Sequence, residues 1–122
     1  MTSKQEQLER TLRDLRSTVP DVRGAMIASV DGLPIAQTFA DNTDAGRMAA
    51  MAATALGLGK RINATLDTGD LSEMSVSGSA GQVYIYATGR KGVLAVVAPG
   101  GMNLGLLHME ARDTAGRVAN IL

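Results

Sequence analysis

The sequence predicts a single α+β domain with the element order α-β-β-α-β-β-β-α, a five-stranded antiparallel sheet and helices on both of its faces. Three observations carry this prediction. Apolar residues recur at helical spacing in three segments, extended apolar runs occupy five others, and short turn-forming stretches join the first strand to the second, the third to the fourth and the fourth to the fifth. No low-complexity linker or internal repeat divides the chain, so residues 1–122 are expected to fold as one unit.

The first helix is announced by Ser3 and Glu6, a capping-box pair, followed by Leu8, Leu12, Leu15 and Val19 on one face. Pro20 ends it. Residues 22–30 and 33–39 read as strands around Asp31-Gly32, a dipeptide suited to a type I′ turn with positive φ at both positions. Pro34 has no N–H for a ladder, which predicts that the second of these strands lies at a sheet edge. Residues 41–44 form a polar loop in which Thr43 or Asp44 could cap the helix that follows.

That helix spans residues 45–66 and ends at Asp67-Thr68-Gly69-Asp70. A meander of residues 71–78, 82–88 and 93–98 comes next, turning at Ser79-Ala80-Gly81 and at Gly89-Arg90-Lys91-Gly92. The last helix starts near Asn103 and aligns Leu104, Leu107, Ala111, Ala115, Val118 and Leu122.

Composition narrows the function. Of 122 residues 45% are hydrophobic, and 12 basic side chains balance 12 acidic ones, so the basic surplus of a nucleic-acid binder is missing. There is no cysteine, which excludes disulfides and thiolate metal sites. The N-terminus has no apolar signal region and no apolar run is long enough for a bilayer, so a cytoplasmic protein without membrane insertion is expected.

Catalytic and ligand motifs fail on inspection. Gly59-Lys60 would need Gly at 54 and Ser or Thr at 61 to make a phosphate loop, but those positions hold Thr54 and Arg61. The stretch PGGMNLG could present amides to an anion, yet a dinucleotide fingerprint would need Gly where Met102 stands. His108 is the only histidine and reads as a flank residue of the last helix; Asp67 and Asp70 read as solvated turn residues. No catalytic, cofactor or metal residue is expected.

Two features instead ask for a second subunit. On the central helix the polar residues Arg47, Thr54, Arg61 and Thr65 fall on one narrow strip, with Lys60 at its margin. The rest is apolar or small, a wider face than one sheet can cover. The strand LSEMSVSG alternates Met74, Val76 and Gly78 with Glu73, Ser75 and Ser77. Lying at the outer end of the meander, it forms an edge without proline or lysine to discourage pairing. The residues expected at a dimer interface are therefore Met48, Met51, Ala52, Ala55, Leu58, Gly59 and Ile62 of the helix with Met74, Ser75, Val76 and Ser77 of the strand. Val76 is expected to offer a ladder N–H to the partner.

Together, SVDGLPIA, the helix DAGRMAAMAATALGLGKRI, the meander and the final helix resemble the Roadblock/LC7 domain family, and within it the bacterial MglB-like branch. The resemblance implies a homodimer whose third strands pair, joining five strands from each subunit into one sheet of ten. It also implies central helices packed together on one face and terminal helices on the other. It further implies a regulatory or adaptor role without a catalytic site of its own, as a partner and possible activator of a small Ras-like GTPase. The partner strip would then be Arg47, Thr54, Lys60, Arg61 and Thr65. The sequence has no long tail after Leu122, so the resemblance does not carry over an activity that depends on such an extension. A small-ligand sensor or a purely structural scaffold subunit is the alternative; three aromatic residues are few for lining a ligand pocket.

Overall fold

A computed structural model describes residues 2–39 and 43–122; of the polar loop, Asp41 and Asn42 lie outside the described residues. The element order is α1 (Lys4–Thr18), β1 (Gly24–Ser29), β2 (Pro34–Gln37), α2 (Ala45–Leu66), β3 (Glu73–Gly78), β4 (Gly81–Thr88), β5 (Gly92–Pro99) and α3 (Leu104–Ile121). The strands form one antiparallel sheet in the order β2-β1-β5-β4-β3, as the sequence predicts.

Each helix starts at a side-chain cap. Ser3, Asp44 and Asn103 accept from the backbone N–H groups of Glu6, Arg47 and Leu106, which satisfies one otherwise orphaned donor per helix. The Ser3 hydroxyl also donates to Glu6 Oε1 at 3.2 Å. Of the two candidate caps of α2, Asp44 takes the role.

The α1 and α3 helices share one sheet face, where Leu8, Leu12, Leu15, Leu107, Ala111 and Val118 meet Ile27, Tyr86, Leu94 and Val96. The α2 helix covers the other, with Ala49, Ala52 and Leu56 against Met26, Ala28, Ile85, Val93 and Ala95. This double coverage explains why β5 is a continuous apolar run instead of an alternating one: both of its faces are interior. By contrast β3 is covered poorly, and its last four residues are exposed.

The β1–β2 connection differs from the predicted type I′ turn. Gly32 has φ +89°, but Asp31 is not in the left-handed region. The Gly32 N–H donates to Ser29 O at 3.0 Å, and Ser29 N–H donates to Leu33 O at 2.9 Å. The loop is therefore Val30-Asp31-Gly32, a tight turn closed by a left-handed glycine. It needs positive φ only at the residue without a Cβ, so Asp31 avoids that strain. Pro34 follows on the predicted edge strand. It stands opposite Ala28 beside a register shift, at a bulged edge where a missing N–H is tolerated.

At the far end of α2, Asp67 is the only non-glycine described residue with positive φ, at φ 55° and ψ 46°. It places a carboxylate on the negative end of the helix dipole, in a conformation glycine adopts freely. Asp67→Gly is expected to stabilise the fold by about 0.5–1 kcal/mol, raising Tm by roughly 2–5 °C in thermal unfolding. An unchanged or lower Tm would show that this cap is not strained.

Candidate functional site

One side of the molecule combines the outer surface of α2 with the open edge of β3. At 100° per residue the buried positions Ala49, Ala52, Leu56 and Gly59 define the face of α2 turned to the sheet. Opposite that face lie Arg47, Thr54, Arg61 and Thr65, all exposed. Lys60 is exposed too, but successive residues are 100° apart on a helix, so it stands off the strip on a flank of α2 instead of at the strip's margin. The helix supplies three cations and no acid between Ala45 and Leu66, so its outer surface is positive. Arg47 is 4.0 Å from Asp44, and with both side chains mostly exposed this pair adds little.

Beside the polar strip runs an apolar one. Met51 is 54% exposed, Leu58 55%, Ile62 48% and Leu66 67%, an arrangement that a monomer does not explain. Met48 and Ala55 are half-buried at its margin. Two residues that the sequence assigns to the same surface sit elsewhere. Ala52 and Gly59 are buried against the protein's own sheet, and a Cβ on Gly59 would stand 2.8 Å from Leu71 and 3.2 Å from Met74. Small residues there let α2 approach β3 closely instead of receiving a second helix. Because Gly59 touches Met74, the neighbouring Ala55 and Ile62 lie on the flank of α2 next to the edge strand.

Alternation on β3 is as predicted. Met74 and Val76 are on the α2 face, Met74 half-buried and Val76 55% exposed, while Ser75 and Ser77 are exposed on the opposite face. The register corrects one expectation about the backbone. Gly78 is opposite Gly81 and Val76 opposite Val83, and the Ala87 N–H donates to Ser72 O at 3.2 Å. Antiparallel ladders bond alternate residues, so the even-numbered positions Met74 and Val76 spend their N–H and C=O groups on β4. The groups facing the open edge belong to Glu73, Ser75 and Ser77. Any added strand would therefore bond through the serines, not through Val76.

On the α3 side a polar cluster ties that strand down. Arg112 Nε donates to Glu73 Oε1 at 2.7 Å, and His108 Nδ1 lies 3.2 Å from Glu73 Oε2 and 2.9 Å from the Tyr86 hydroxyl. The hydrogen bond of Nδ1 is with the Tyr86 hydroxyl, its direction set by the ring tautomer, and the Glu73 carboxylate lies beside the same nitrogen. The His108 ring stands edge-on to Tyr84 at 4.5 Å, and the Tyr84 hydroxyl donates to Gln82 Oε1. Burial, then the Glu73 charge, pushes the Tyr86 hydroxyl above its ordinary range. The Glu73 hydrogen bond holds the Arg112 guanidinium more firmly protonated than usual. Sequence alone makes His108 a flank residue and leaves this cluster unseen, because Glu73 and Arg112 are far apart in the chain.

Among the described residues no group of three or more His, Cys, Asp or Glu side chains could hold a metal ion, and no helix is long and apolar enough to cross a membrane. Gly59-Lys60 lies inside α2 and not after a strand, which a phosphate loop would require.

The family model described as Roadblock/LC7 domain matches residues 8–98. The chain belongs to the Roadblock/LC7 domain family. An uncharacterized protein of Methanocaldococcus jannaschii is 30% identical over 111 residues, covering 91% of this chain and 96% of that protein. Among solved structures, the gliding protein MglB from Thermus thermophilus superposes with a TM-score of 0.89 at 16% identity, over 99% of this chain and 92% of that one. A Roadblock/LC7 domain from Streptomyces avermitilis gives 0.81 at 25% identity, over 88% and 90%. Roadblock/LC7 domains are regulatory and non-catalytic.

Proposed function

We propose that this Roadblock/LC7 protein is a homodimeric regulator that binds a small Ras-like GTPase across its paired α2 helices. The observation that carries the reading is the outer surface of α2, where an exposed apolar strip lies beside an exposed cationic one. Two strips of different chemistry on one helix serve two purposes. Met51, Leu58, Ile62 and Val76 go to the second copy; Arg47, Thr54, Arg61 and Thr65, with Lys60, remain for the partner.

Magnitudes favour pairing. Fully burying one such apolar side chain is worth roughly 1.5–3 kcal/mol, so four half-exposed ones contribute on the order of 4 kcal/mol per subunit before association costs. The unprotected β3 edge adds main-chain hydrogen bonds. Cations on the remaining platform act on encounter rate and orientation, and arginine is enriched where interfaces anchor. Any stimulation of hydrolysis would come from repositioning the GTPase's own groups. The likeness to MglB in fold is consistent with the reading.

The test is binding of purified Ras-like GTPases, compared in their GDP and GTP-analogue states by calorimetry. State-dependent binding at micromolar concentration or tighter is expected. A protein that binds none of them while assembling stably into a larger complex would be a scaffold subunit instead.

A further inference from the structure

Glu73 is the one charged residue of β3, and it stands where an incoming strand would meet it. Its main-chain groups face the open edge, yet its side chain turns beneath α3 and is only 21% exposed. A charge on an edge strand ordinarily deters pairing, because an arriving strand would have to desolvate it. Here the carboxylate is spoken for twice: Oε1 accepts from Arg112 Nε at 2.7 Å and Oε2 faces His108 Nδ1 at 3.2 Å. Tyr84 and Tyr86 of the neighbouring strand flank the histidine ring and hold it in place.

We propose that α3 licenses self-pairing of β3 by clasping Glu73 through Arg112 and His108, so that the edge reaches its partner strand preorganised and without a free charge. This rests on the dimer reading above. The clasp joins the terminal helix on one sheet face to the pairing edge that α2 flanks on the other. Displacement of α3 would therefore release a carboxylate into the seam.

The experiment measures the dimer dissociation constant by sedimentation for the wild type, Arg112→Ala, Glu73→Gln and the double variant. Arg112 is 61% exposed, so its truncation leaves a folded chain. Arg112→Ala is expected to raise the dissociation constant about tenfold by freeing Glu73. Glu73→Gln, which keeps an acceptor and drops the charge, is expected to stay within about threefold of wild type and to restore the double variant to that level. An unchanged constant in Arg112→Ala, or a double variant as weak as Arg112→Ala alone, would overturn the clasp. A wild type that is itself monomeric would instead overturn the dimer reading beneath it.

Discussion

Reversing Arg47 and Arg61 together to Glu is expected to abolish GTPase binding while leaving the dimer intact. Both side chains are exposed on the outer face of α2, so the change costs the fold little, within about 0.5 kcal/mol. In a two-fold assembly each substitution occurs twice, and the positive platform becomes negative across both subunits. Binding should weaken by at least a hundredfold, about 3 kcal/mol, when titrated against the wild type at equal salt. Unchanged affinity would mean that this helix face is not the docking site. Single Arg47→Ala and Arg61→Ala variants separate docking from catalysis. A loss of hydrolysis on the order of a thousandfold with binding retained would mark an inserted arginine, which the repositioning reading does not expect.

Ser75→Pro is expected to convert the dimer into a folded monomer. The Ser75 N–H faces the open edge, where a lone chain spends it on water, so an edge strand tolerates the proline. Pairing is another matter: two donors disappear per dimer and two rings enter the seam. That should cost about 3 kcal/mol or more, raising the dissociation constant over a hundredfold. The neighbouring Val76→Pro serves as a contrast. Its N–H belongs to the β3–β4 ladder, so that variant should lose stability in thermal unfolding even where no dimer forms. A Ser75→Pro protein that stays dimeric would place the interface away from β3.

Periodicity makes most of this fold legible. The α2 helix is readable to its ends because Asp44 caps it and the Asp67–Asp70 stretch breaks it. Pro34 discloses the edge because its chemistry forbids a central strand. The dipeptide Asp31-Gly32 misleads about turn type, since two- and three-residue hairpin loops use the same residues and differ in whether Asp31 shares the positive φ or leaves it to Gly32. At the site, composition reveals a helix with too much apolar surface but not where α2 sits against β3. So Ala52 and Gly59 are expected outward when they are buried. The parity of the β3 backbone depends on the β3–β4 register, and the Glu73–Arg112–His108 cluster depends on α3 crossing the sheet. Neither is written in local sequence.

Whether the open edge and the apolar strip of α2 find a second copy decides the function proposed for this chain. Light scattering of the purified chain at micromolar concentration measures this directly. Twice the mass of one chain is the predicted result. A single-chain mass at that concentration would contradict the dimer and the platform built on it, because Met51, Leu58, Ile62 and Val76 would then stand in water without a partner.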